Sequence, residues 1–142
     1  MILRIDSANS VPIYWQIVEQ IKRAIATGAL GAGDALPSLR ETALRLRVNP
    51  LTVDKAYKQL EREGLIETRH GLGSFVTAAA ESATVAFRRE LLSRSIDDVL
   101  VDAFHLGVSF EELRQLVDER MEAATEGLLQ NTFERRNERV ER

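Results

Sequence analysis

The chain has 142 residues, no cysteine, 19 Lys+Arg against 22 Asp+Glu, and a formal net charge of −3. Its length admits one domain or two small ones, and the missing cysteine excludes disulfides and thiolate metal sites and suits a reducing cytoplasm. The N-terminal MILRIDSANS lacks the apolar core of a secretory leader, and no apolar run approaches membrane-spanning length, so no membrane partner is expected. The negative charge argues against bulk attraction to nucleic acid, but it is unevenly spread. Residues 1–78 carry ten Lys+Arg and eight Asp+Glu, a balance of +2; residues 79–142 carry nine and fourteen, a balance of −5. A polyanion would meet the first half.

Residues 2–6 read as a short strand. Pro12 then opens a helix in which Ile13, Ile17, Ile21 and Ile25 recur four apart, with Tyr14, Val18 and Ala24 beside them. Gln16, Glu19, Lys22 and Arg23 are expected on its wet face, and Gly28 ends it. Trp15 falls off the stripe. It reads equally as a packing residue at a domain or subunit contact and as a half-exposed one. A glycine-rich loop follows, through Gly33.

A second helix is expected from about Ser38 to Leu46, with Leu39, Ala43 and Leu46 inward. Only Arg47, Val48 and Asn49 separate it from a third. Asn49 is a good N-cap, and Pro50 stands at the first helical position, where its missing N–H costs nothing. Val53, Ala56, Tyr57 and Leu60 form the inward stripe, and Gly64 sits at the C′ position. The opposite face carries Leu51, Thr52, Asp54, Lys55, Lys58 and Arg62, and the helix N-terminus offers free N–H groups suited to a phosphate. The spacing fits a helix-turn-helix; an ordinary helical hairpin in a core fits it equally well. Leu65–Thr68 and Ser74–Thr77 read as strands around the turn Arg69–Gly73, whose glycines supply the φ freedom a hairpin needs. A basic residue and a histidine at its tip suit a phosphate or a minor-groove edge. The alternative for His70 is a solvated turn residue.

The ordered segments LPSLR, VNPLTVDKAY, LEREGLI and HGLGSFV resemble the winged-helix domain of the GntR family of bacterial transcription regulators. The upstream PIYWQI and the VNP turn resemble its short YtrA-like subfamily. The resemblance implies a mostly α fold with a small β wing, a double-stranded DNA operator as partner, and DNA contacts from Arg40, from Asn49 and Thr52, and from His70 and Gly71. Ser38, Leu51, Lys55, Lys58 and Arg69 complete the candidate DNA-binding set. The chain departs from the pattern at Thr42, where the family usually has leucine. It departs again at Leu51, where the subfamily often has asparagine, and at Asp54, where many relatives are basic.

Residues 1–78 are therefore expected to be a winged helix-turn-helix domain. Ala78–Ser82 reads as a junction, and residues 79–130 as a two-helix dimerisation domain. Its long first helix, from about Ser82 to Leu106, carries Phe87, Leu91, Leu92, Ile96, Val99, Leu100 and Phe104 over more than one stripe. A lone helix cannot cover that surface, and a second copy of the chain would. Ser109 and Glu112 have capping-box spacing, with Val108 and Leu113 placed as a hydrophobic staple, and open a second helix. Its expected inward face is Leu113, Leu116, Val117 and Met121; Ala124 and Leu128 extend it. Residues 131–142, NTFERRNERVER, read as a charged tail, frayed or disordered.

No catalytic residue and no metal site are expected. His70 and His105 lie in separate elements, and no HExxH, GxSxG or Walker motif is present. HGLGSF lies between two strands, so it is no dinucleotide loop, and no cofactor is expected. His105 reads as a packed or capping residue. Two helices leave little room to enclose a small-molecule effector in one subunit; a pocket between subunits stays open. The sequence thus reads as a homodimeric DNA-binding regulator acting on an inverted repeat, and the YtrA-like resemblance implies a repressor of a transporter operon. The rival is a winged helix used as a protein-interaction module, for which Arg40, Lys55, Lys58 and Arg69 together on one face would be superfluous.

Overall fold

The structure is a computed structural model; it describes residues 2–127 and 134–135. The expectations for Leu128 and, apart from Glu134 and Arg135, for the charged tail fall outside the described residues. The chain divides into two compact units, Met1–Leu92 and Ser93–Arg142.

The first unit is built on three helices, α1 (Ile13–Ala26), α2 (Leu39–Leu46) and α3 (Pro50–Arg62). The isoleucine stripe of α1 turns Ile17, Ile21 and Ile25, with Val18, into the core. They meet Val53, Ala56, Tyr57 and Leu60 of α3 and Ala43 of α2. Each large aliphatic side chain buried there contributes roughly 1.5–3 kcal/mol. Both caps form. The Ser38 hydroxyl oxygen accepts from the Glu41 N–H at 3.1 Å, and Asn49 Oδ1 accepts from the Leu51 N–H at 2.9 Å. Between the helices Arg47 takes a left-handed conformation, φ 54° and ψ 47°. The Val48 N–H then returns to the Ala43 carbonyl at 3.1 Å, which ends α2 sharply.

The wing is a two-stranded antiparallel hairpin of β1 (Ile66–Arg69) and β2 (Gly73–Val76), in register Ile66 with Val76 and Arg69 with Gly73. Its tip is the three-residue turn His70–Gly71–Leu72. Gly71 at φ 76° and Gly73 at φ 110° occupy backbone regions that other residues rarely adopt. Alternation decides its sides: Ile66 and Val76 go into the core, and the tip stays wet.

Two stretches differ from the sequence reading. Residues 2–6 are not a strand. Their backbone groups are taken by glutamines of α1: Gln20 bonds both the N–H and the carbonyl of Arg4, and Gln16 does the same for Asp6. With those groups satisfied, no strand partner is needed. Conversely, the loop before α2 pairs with the wing. Ala35 bridges Phe75, the Leu36 N–H donates to the Ser74 carbonyl, and Val76 and Asp34 are joined at 2.9 Å.

After the wing, a short helix α4 (Ala80–Ala83) precedes α5 (Val85–His105). Ala80, Thr84 and Phe87 are all buried, so the first turn of α5 belongs to the first unit. Thr84 marks the break: its hydroxyl donates to the Glu81 carbonyl at 2.9 Å.

In the second unit the rest of α5 turns at Gly107 into α6 (Phe110–Glu126). The cap forms here as read: the Ser109 hydroxyl oxygen accepts from the Glu112 N–H at 3.2 Å. The inward face expected for α6 does not form within the chain. No residue of α6 is buried, and Leu116, Val117 and Met121 are exposed. Two helices from one chain offer no layer to close over them.

Candidate nucleic-acid interface

The residues singled out in the sequence lie on α2, α3 and the wing, elements that pack on one another in the first unit. The stripe that buries one side of α3 leaves its other side outward by elimination. Leu51 is 73% exposed, Lys55 and Lys58 are exposed, and Thr52 is half-buried. Arg40 stands exposed on α2, which packs against α3. The α3 N-terminus is capped by Asn49, so that side chain's carbonyl is occupied and its amide N–H groups remain to donate. Ser38 likewise uses its oxygen as a cap and keeps its proton.

The electrostatics of this face are more balanced than the sequence alone indicates. Lys58 pairs with Asp54 at 2.8 Å, one turn apart on α3. Lys55 lies over the Tyr14 ring, its ammonium 4.0 Å from the centroid. Ile13, Tyr14, Leu51, Thr52 and Lys55 line a shallow open groove between the first turn of α1 and α3. Tyr14 was read only as a flank of the α1 stripe. Its place beside Lys55 depends on how α1 crosses α3, which no local pattern encodes.

At the wing, Arg69 bonds Glu67 through Nε and Nη2, at 3.2 and 2.9 Å, and its guanidinium covers the Phe75 ring at 4.5 Å. These contacts hold the arginine along the hairpin, beside the exposed tip residues His70 and Gly71. The Thr68 hydroxyl donates to Glu61, which ties β1 to α3.

Beneath the face lies a buried polar link. Tyr57 donates its phenol proton to the Pro37 carbonyl at 2.7 Å, so the Thr42 hydroxyl, 3.1 Å away, donates to the phenol oxygen. This link joins α2, α3 and the LPSLR segment. Burial, with the nearby Glu41 carboxylate, pushes the Tyr57 phenol above its ordinary value of 10.0, while the Thr42 bond pulls the other way. Tyr57 in turn gives the buried Thr42 hydroxyl an acceptor, so that hydroxyl is not left unpaired.

The described residues hold no cluster of His, Asp or Glu placed to bind a metal. None of their helices is long and apolar enough to cross a membrane.

Residues 13–76 match the family model described as bacterial regulatory proteins, gntR family. The chain is 39% identical over 117 residues to the HTH-type transcriptional repressor YtrA of Bacillus subtilis. That alignment covers 82% of this chain and 90% of the repressor. This chain belongs to the GntR family. Among solved structures, the GntR-family fold is shared with a transcriptional regulator from Oenococcus oeni, at TM-score 0.65 and 37% identity over 82% of this chain and 97% of that one. It is also shared with YtrA from Sulfolobus acidocaldarius, at TM-score 0.52 and 41% identity over 65% and 99%. The regulator is YtrA-like, and its family and these relatives are transcription regulators rather than enzymes. Its first unit is a DNA-binding winged helix.

Proposed function

We propose that this regulator is a repressor that binds an inverted-repeat operator as a homodimer in the bacterial cytoplasm. In this reading α3 enters the major groove and the wing tip meets the adjacent backbone or minor groove. Arg40, Thr52 and the Asn49 amide read or anchor the half-site. Lys55, Lys58 and the α2 cap at Ser38 meet phosphates, as do Arg69, His70 and the Gly71 backbone at the wing, while Leu51 is placed for a thymine methyl.

The observation that carries the proposal is the outer face of α3, where Leu51, Lys55 and Lys58 stand exposed on a helix whose other side is core. Dimerisation rests on residues 93–126, where Ile96, Val99, Phe104 and Phe110 are exposed in one chain. Leu91 and Leu100 are half-buried and Leu92 is exposed. Phe87, read from the sequence as part of the same surface, is buried within the first unit. A symmetric copy supplies the missing layer. The YtrA-like character supports a transporter operon as the target.

The test is selection of bound duplexes from a random pool by the purified protein, followed by titration at several salt concentrations. A palindromic consensus with half-site centres about 34 Å apart, or a multiple, is expected, with affinity falling steeply as salt rises. Equal affinity for unrelated duplexes, or no salt dependence, overturns the proposal.

A further inference from the structure

Lys22 was placed by the sequence on the wet face of α1. The fold puts it elsewhere. Its side chain is only 16% exposed, and its ammonium donates to Glu63 Oε1 at 2.7 Å. Glu63 is the C-cap of α3, the recognition helix of the proposed function. On its other side the same ammonium lies 4.8 Å from the centre of the Phe87 ring, in the first turn of α5. One cation therefore touches three elements: the middle of α1, the end of α3 and the start of α5.

The physical chemistry makes the junction demanding. A carboxylate at a helix C-terminus faces the negative end of the helix dipole. Glu63 carries that penalty, and its second oxygen is buried with no hydrogen-bond partner among the described residues. Lys22 offsets both. The aromatic face of Phe87 then completes the shell of the ammonium, an arrangement more favourable when water is excluded. Arg88 adds a tether, donating to the Glu81 carbonyl at 2.6 Å. The chain that follows Phe87 along α5 leads to the exposed apolar residues 93–126.

We propose that Lys22 is a positioning residue for operator spacing: through Glu63 and Phe87 it couples the recognition helix to the helix that carries the dimer contacts. The inference rests on the dimeric DNA-binding reading above. Lys22 itself touches no DNA in it. Its loss leaves each half-site contact intact and relaxes the registration of one recognition helix against the other.

The experiment uses the full chain and three kinds of synthetic duplex: the selected operator, the same operator with one or two base pairs added or removed between half-sites, and a single half-site. Wild type is expected to lose about tenfold or more in affinity when the spacing is wrong, since the linked second contact is forfeited. Lys22→Met keeps the apolar stem and removes the cation. It is expected to bind all spacings within about threefold of each other while its half-site affinity stays within about twofold of wild type. Lys22→Arg, which retains charge and stacking, restores the discrimination. If Lys22→Met does not fold, Phe87→Leu carries the same comparison, because it keeps the apolar volume and removes the ring. A variant that keeps wild-type discrimination overturns the proposal. So does one that loses half-site and operator affinity by the same factor, since that is the mark of a merely structural residue. A wild type with no spacing preference overturns the dimeric reading as well, which separates the two failures.

Discussion

Asp54 and Lys58 show how one side chain can set the strength of a whole face. Their ion pair is partly exposed and one turn apart, a geometry worth about 0.3–0.5 kcal/mol. In the proposed complex its effect on DNA is larger than that figure, because Asp54 would place a negative charge where phosphates approach. Asp54→Asn is therefore expected to tighten non-specific binding about two- to fivefold at low salt, with the gain vanishing near 1 M salt as charges are screened. Filter binding to an unrelated duplex reads this directly; unchanged affinity at low salt would show that Asp54 lies away from the backbone. Lys58→Ala should act in the opposite sense and reduce the salt slope by about one unit. Tyr57 makes a second prediction at this scale. Its phenol is raised above 10.0 by burial, so the fold prefers the neutral form. The sign follows: this contribution to stability is fully present below about pH 10 and is lost as pH rises through the raised value. Tyr57→Phe removes that alkaline loss and also the bonds to Pro37 and Thr42. It should be less stable than wild type at pH 7, by about 1 kcal/mol, with a shallower decline above pH 10. Urea midpoints at both pH values check the crossing trend.

Among the elements, the turn between α2 and α3 carries the only positive φ of a non-glycine residue among those described, at Arg47. That conformation costs a side-chain-bearing residue about 1–2 kcal/mol, partly offset by the greater unfolded-state freedom of glycine. Arg47→Gly should stabilise the fold by about 0.5 kcal/mol in chemical denaturation. A loss of stability would mean that the arginine side chain makes an unrecognised contact. The elements themselves were legible where local chemistry specifies them. Asn49–Pro50, the α3 stripe, the Ser109 cap and the wing glycines each act within a few residues, and each formed as read. What was missed acts at long range. The pairing of Ala35 with Phe75 arises in a glycine-rich loop without alternation. The extended residues 2–6 read as a strand because sequence does not show that Gln16 and Gln20 satisfy their backbone. Lys22 read as solvated because its partners lie 41 and 65 positions away. The candidate site divides along the same line. The outward face of α3 follows from its inward stripe, whereas the Tyr14–Lys55 contact requires the crossing of two helices.

At the scale of the whole molecule, the first unit ends further along the chain than the composition change at Ala78–Ser82 indicates. Ala80, Thr84 and Phe87 are buried in it. A fragment ending at Leu92 should fold as a monomer, bind one half-site weakly and lose tight binding to the full operator. One ending at Thr77 should be several kcal/mol less stable, because it uncovers the surface beneath Ala80 and Phe87. Sedimentation and thermal unfolding of the two fragments and the full chain decide the matter. A fragment to Leu92 that still dimerises would remove residues 93–126 from the interface. Those residues also bear on how long the protein survives in a cell. One chain by itself displays Phe104, Leu106 and Phe110 to solvent, and if it pairs as proposed, the unpaired subunit shows the kind of surface that chaperones and proteases sample. Newly made chains below the pairing threshold would be cleared, while paired ones persist. Turnover would then sharpen the response to gene dosage, so that halving synthesis lowers the amount of active regulator by more than half.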